Sequence, residues 1–232
     1  MTKTDFGALF LVATPIGNLE DLSPRARRIL SESEIILAED TRKTGQMLKT
    51  LKIERAGKLV SYYQENELAR IPEVILWLKQ GKRVSLVSNA GTPLISDPGY
   101  RLVQEAVSQG LEIAPIPGPS ALLPALIASG LPSDRFVFLG FLPKRVGRKK
   151  KLFSELVKMK QIDTAIFYES PNRLELALKV VKEVFGNVPI AIGREMTKLH
   201  EQFVRGDLDR VALSLGSGGK IKGEVVVVFR FN

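Results

Sequence analysis

In the first half of the chain, short apolar runs alternate with longer stretches in which apolar residues recur every three or four positions. The runs "ALFLVA", "EIILAED", "KLVSYY", "RVSLVS" and "EIAPIPG" show no strict alternation of polar and apolar residues, which predicts strands covered on both faces. Between them, "SPRARRILSES", "TRKTGQMLKTLK", "ENELARIPEVILWLKQG" and "PGYRLVQEAVSQG" carry the helical period. Ser23 is placed to cap the first helix with Pro24 at its first position, and Gly81 closes the third. Strand and helix in strict turn predict a mostly parallel sheet with helices on both faces.

The pattern changes after "PIPGPSALLPALIASGLP". The segment "RFVFLGFLP" alternates, "VGRKKKLFSELVKMK" is a basic helix, and "TAIFYES", "PIAIGREM", "HEQFVRG" and "GEVVVVFRF" read as strands around the helices "NRLELALKVVKEVFG" and "DLDRVALSLG". Strands close together around Met196 and Val204 predict antiparallel pairing. The reading is therefore two α/β domains, residues 1–118 with a mostly parallel sheet and residues 119–232 with a mixed one. No internal repeat and no low-complexity tract interrupts them.

Ligands of open α/β sheets bind beyond the carboxyl ends of the strands. The loops predicted there are "TPIGNLED", "EDTRKTG", "YQEN", "SNAGTPLISDPG" and "PIPGPS". Three of these combine glycine with proline, and Gly91 in the fourth lets backbone approach a small ligand that a side chain would hold off. Glu39, Asp40, Arg42 and Lys43 bring both signs of charge to the same rim, either as a polar active-site wall or as a solvated loop.

Composition removes several classes of chemistry. The chain has 232 residues, no cysteine and one histidine, His200, so thiolate nucleophiles, disulfides and multi-histidine metal sites are excluded. None of the G-x-G-x-x-G, Walker A or G-x-S-x-G signatures is present, and "GSGGK" at Gly216 to Lys220 follows a helix and precedes a strand, the wrong context for a phosphate loop. No apolar run approaches a membrane span and the first residues lack a signal-peptide layout, which points to a cytoplasmic protein. The net charge of +9 favours anionic partners. It concentrates between Lys144 and Lys160, where Lys144, Arg145, Arg148, Lys149, Lys150, Lys151, Lys158 and Lys160 face Glu155 alone, a pattern suited to a phosphate backbone.

Taken together, "ATPIGNLEDLSPRA", "LAEDTRKTG", "SNAGTPLISDPG", "PIPGPSALLPAL", "YESPNRL" and "GREMTK" resemble the tetrapyrrole methylase superfamily, in the branch of the ribosomal RNA small subunit methyltransferases I. The resemblance implies two α/β domains with S-adenosylmethionine in the cleft between them, a homodimer, and 2′-O-methylation of a cytidine in the decoding region of 16S ribosomal RNA, presented as free RNA or as the small subunit. Carried over by position, the cofactor surface falls at Ile16, at Thr92, Ile95 and Ser96 beside Gly91, at Ser120 and Ala121, and at Tyr168. The reaction then needs a proton acceptor for a ribose hydroxyl, with Glu39, Asp40 and Lys43 as first candidates and Glu169 and Glu195 behind them. Arg42 and Arg194 join the basic run as phosphate contacts. Two alternatives are a tetrapyrrole carbon methyltransferase and a non-catalytic RNA-binding protein. Against the first stand the basic run and Gly91-Thr92-Pro93, where the tetrapyrrole enzymes carry Gly-Asp-Pro.

Overall fold

Strands without a polar face must be covered on both sides, and the first half of the chain builds that arrangement. The structure is a computed structural model that describes residues 7–217 and 222–232. It divides into Met1–Ser120 and Ala121–Asn232, each a unit with its own sheet.

In the first unit the chain runs β1 (Ala8–Val12), α1 (Pro24–Glu32), β2 (Ile35–Ala38), α2 (Thr41–Thr50), β3 (Lys58–Ser61), α3 (Glu67–Lys79), β4 (Val84–Val87), α4 (Tyr100–Ser108) and β5 (Glu112–Ile116). The sheet order is β3-β2-β4-β1-β5 and every pairing is parallel. Both expected features are present: β2 and β4 are buried at all their positions, and the Ser23 hydroxyl accepts the Ala26 amide at 3.1 Å to start α1. Alternate residues go to opposite faces. Phe10, Val12, Ile36 and Ala38 pack with Ala26, Ile29 and Leu48 of α1 and α2, while Leu9, Ile35 and Leu37 pack with Trp77, Leu78 and Leu102 of α3 and α4.

This winding fixes where a ligand can sit. The chain leaves β1 for α1 on one face and leaves the adjacent β4 for α4 on the other. The strand order thus reverses between β1 and β4, the kind of position beyond which ligands of open α/β sheets bind.

The second unit contains α5 (Leu122–Ser129), β6 (Phe136–Phe141), α6 (Val146–Leu156), β7 (Thr164–Glu169), α7 (Pro171–Phe185), β8 (Pro189–Arg194), β9 (Gln202–Asp207), α8 (Leu208–Ser217) and β10 (Val225–Arg230). Its order is β6-β7-β10-β8-β9, with β6 parallel to β7 and the other pairs antiparallel, including the β8–β9 pair expected around Met196 and Val204. Phe153, Phe167, Phe185 and Phe229 form a tilted and edge-on aromatic core, with ring centroids 5.3–6.2 Å apart. The "GSGGK" segment falls largely outside the described residues.

Candidate functional site

The loops that leave β1, β4 and β5 are stitched to one another. Thr14 and Gly91 exchange backbone hydrogen bonds, each N–H donating to the other's carbonyl at 2.9 Å. The Thr14 hydroxyl donates to the Ser88 carbonyl at 3.3 Å, and the Thr92 hydroxyl donates to the Pro119 carbonyl at 3.0 Å. Gly91 has φ +84, and a β-carbon there would lie 3.4 Å from Ile16 Cγ2 and 3.9 Å from the Pro119 carbonyl oxygen. The structure therefore brings together Ile16, Gly91, Thr92 and the Pro119–Ser120 turn, residues that lie far apart in sequence.

The β4 loop carries backbone strain. Leu94 and Ser96 are non-glycine residues at φ 72 and 67, flanking the exposed Ile95, and Gly99 has φ 128. Conformations of this kind persist only where surrounding structure holds them. Here the far end is clamped by a buried carboxylate: Glu67 Oε1 accepts the Gly99 amide at 3.1 Å and the Tyr62 hydroxyl at 3.0 Å. Burial, then the Glu67 hydrogen bond, raises the Tyr62 hydroxyl's pKa, so it remains a donor.

Among the charged rim residues, Asp40 has a structural task. Its carboxylate accepts the Arg42 amide at 2.9 Å and the Lys43 amide at 3.4 Å, capping α2, and it pairs with the Arg42 side chain. The side-chain bond from Arg42, then its amide, holds the Asp40 carboxyl below its ordinary range. Arg42 and Lys43 are exposed and Glu39 is half-buried. Asp97 is different. It is half-buried in the strained loop, with the Ser88 hydroxyl and the Glu39 carboxylate as neighbours, and burial followed by the Glu39 charge pushes its pKa up to about 6. The Ser88 hydroxyl also lies 3.2 Å from the Ala90 and Gly91 carbonyls, so the same loop orients it.

In the second unit, Tyr168 sits next to the last residue of β7 and its ring meets Phe138 and Phe141 edge-on. The following residue, Glu169, is buried and pairs with Lys149 at 3.4 Å and with Arg173. This corrects two expectations. Lys149 is not a surface contact for phosphate, because its side chain is enclosed between α6 and β7, and Glu169 is not free to take a proton from a substrate. Lys150 is tied to Glu183, whereas Lys144, Arg145, Arg148 and Lys151 are exposed. Glu195 accepts the Glu224 amide and pairs with Lys198, which lowers its pKa, the amide contributing most. Arg194 is half-buried at the end of β8, and its buried Nε has no hydrogen-bond partner. Ala121 opens α5.

Residues 8–212 match the family model of the tetrapyrrole (corrin/porphyrin) methylases. The chain belongs to the tetrapyrrole methylase family. Among curated tetrapyrrole methylases it is 45% identical over 222 residues to the ribosomal RNA small subunit methyltransferase I of Thermotoga maritima, covering 96% of this chain and 97% of that one. It is also 45% identical to the protein of the same name from Halalkalibacterium halodurans, over 99% of this chain and 78% of the relative. The solved structure of uroporphyrin-III C-methyltransferase from Thermus thermophilus, complexed with S-adenosyl homocysteine, superposes with a TM-score of 0.61 at 18% identity, over 96% of this chain and 97% of that one. At that identity the likeness is one of fold.

Within this tetrapyrrole methylase, sequence reasoning missed Asp97 and the inward turn of Lys149. Asp97 lay in a loop read for its glycines and prolines. The signal for Lys149 was present: Phe153 and Leu156 follow it at helical spacing and are buried on the same side of α6. Among the described residues no group of His, Asp and Glu is arranged to hold a metal ion, and no helix is long and apolar enough to cross a membrane.

Proposed function

We propose that the chain is an S-adenosylmethionine-dependent methyltransferase that modifies the ribose 2′-oxygen of a cytidine in the decoding region of 16S ribosomal RNA. The observation that carries this reading is the match over nearly the whole of this chain to relatives named ribosomal RNA small subunit methyltransferase I, both 45% identical. The rim supports the cofactor assignment, because Gly91 presents bare backbone beside Ile16 and the Pro119 turn. Ile16, Thr92, Ile95, Ser96 and Ser120 are uncharged, which suits a cationic sulfonium nucleoside; Ala121 and Tyr168 complete the set by family position. When bound, S-adenosylmethionine supplies an electrophilic methyl group.

The remaining chemistry belongs to the protein. A ribose hydroxyl is a weak nucleophile at neutral pH, so the enzyme has to align it and accept its proton. A carboxylate whose pKa lies near 6 is a better acceptor than an ordinary one, and Asp97 has that property. Glu39, its neighbour, helps to set it. Asp40 keeps α2 and Arg42 in place, and Lys43, the third candidate acceptor, stands exposed beside them. The test is to incubate the protein with small ribosomal subunits, and separately with free 16S RNA, in the presence of methyl-labelled S-adenosylmethionine, and to map the label. A 2′-O-methylcytidine is the expected product. Label on a base, or none with either substrate, overturns the reading.

A further inference from the structure

Phe141 is a large aromatic side chain left 57% exposed at the end of a strand. Its position is built rather than incidental. Phe136, Val137 and Phe138 pair in order with Thr164, Ala165 and Ile166, but the next pair is Phe141 with Tyr168, because one extra residue is taken up in a bulge. Gly140 supplies the required φ of +62. The slip has a definite effect. In unbroken register Phe141 would face away from Phe138; with the bulge it lies on the same face, 5.5 Å from the Tyr168 ring, which in turn lies 4.9 Å from Phe138.

The platform is propped from beneath. Leu142 is buried in the core and its carbonyl accepts from Arg173 at 3.5 Å. Arg173 and Lys149 both pair with the buried Glu169, the residue after Tyr168. The backbone on either side of the aromatic pair is thus tied to one enclosed charge cluster.

What surrounds Phe141 identifies its partner. Lys144, Arg145 and Arg148 follow within a few residues, all exposed, at the amino end of α6. Cations at that end oppose the helix dipole, so they do not serve the stability of the helix. No acidic residue lies in its first turn. An exposed ring beside uncompensated cations suits a strand of unpaired nucleotides, with a base on the ring and phosphates on the cations, and does not suit an apolar protein partner.

We propose that Phe141, backed by Tyr168, is the stacking surface for an unpaired base of the RNA substrate, with Lys144, Arg145 and Arg148 holding the adjoining phosphates. The proposal rests on the reading of the protein as an enzyme acting on RNA. It adds a selection for unpaired nucleotides, since a base inside a duplex is already stacked.

The probe is a single-stranded RNA of about a dozen nucleotides carrying one 2-aminopurine, with a duplex of the same sequence as control. Phe141→Ala should weaken single-strand binding by about five- to a hundredfold and abolish the aminopurine quenching. The slope of affinity against salt and duplex affinity should not change. Phe141→Trp should preserve affinity and quenching, whereas Phe141→Leu, which keeps an apolar contact with Tyr168 but has no aromatic face, should behave like Phe141→Ala. Unchanged affinity in the alanine and leucine variants, full rescue by leucine, or a lower salt slope overturns the stacking role while leaving RNA binding standing. A wild-type protein with no salt-dependent affinity for either RNA removes the RNA reading itself, and this proposal with it.

Discussion

Half-buried beside a second carboxylate, Asp97 holds a proton more readily than an aspartate in water, and two measurable consequences follow. The first is catalytic. If Asp97 accepts the ribose proton, single-turnover methyl transfer rises as pH passes through about 6, and Asp97→Asn lowers it by about 100- to 10,000-fold with both substrates still bound. Glu39→Gln removes the like charge and moves the inflection to lower pH, only part of the way because burial is the larger cause. The second concerns stability, and its sign is fixed by linkage. The raised pKa means that the folded chain takes up this proton at a higher pH than the unfolded chain does. Asp97 therefore contributes least to stability above about pH 6, and its contribution recovers as pH falls toward the ordinary aspartate range. Asp97→Asn should melt at a higher temperature than the wild type at pH 8, with the gap closing by pH 4, as thermal unfolding at the two pH values would show. A rate loss without this gain would mean that the variant simply disturbs the loop.

At the scale of elements, α6 explains both how much the sequence disclosed and where it stopped. Strands such as β2 and β4 were legible because burial on both faces leaves no polar position to blur them, and the α1 cap was legible because Ser23 and Pro24 occupy fixed places relative to the first turn. The rim was legible as a set of loops. Their joining was not, since the Thr14–Gly91 pairing links residues with no shared local pattern. In α6 a run of like charges concealed a division of labour. Lys149 turns inward with Phe153 and Leu156, whereas Arg148 and Lys151 turn outward. Lys149→Met should destabilise the protein by about 1–3 kcal/mol, because it leaves the buried Glu169 with Arg173 as its one counter-ion, and should leave the salt slope of RNA binding unchanged. Arg148→Gln should do the reverse, lowering the slope by about one without a change in melting. Denaturant titration and binding at several salt concentrations separate the two. A slope that falls for Lys149→Met would mean that the side chain reaches RNA after all.

Over the whole molecule, charge is divided unequally. Residues up to Ser120 carry 15 Lys and Arg against 14 Asp and Glu, and the remainder carry 19 against 11. The near-neutral unit holds the stitched rim and the basic one holds Phe141 and the exposed face of α6. The protein should therefore bind S-adenosylmethionine with little dependence on salt, while its affinity for RNA falls by orders of magnitude between about 0.05 and 0.2 M salt. Calorimetry with each partner across that range checks this, and parallel slopes would place both on one charged surface. The paired amides of Thr14 and Gly91 also bear on how the rim can vary in length. A residue inserted between β1 and Thr14, or between β4 and Gly91, would slide one partner out of register with the other. A scan of single-residue insertions along the first unit would meet its sharpest intolerance at those two loops.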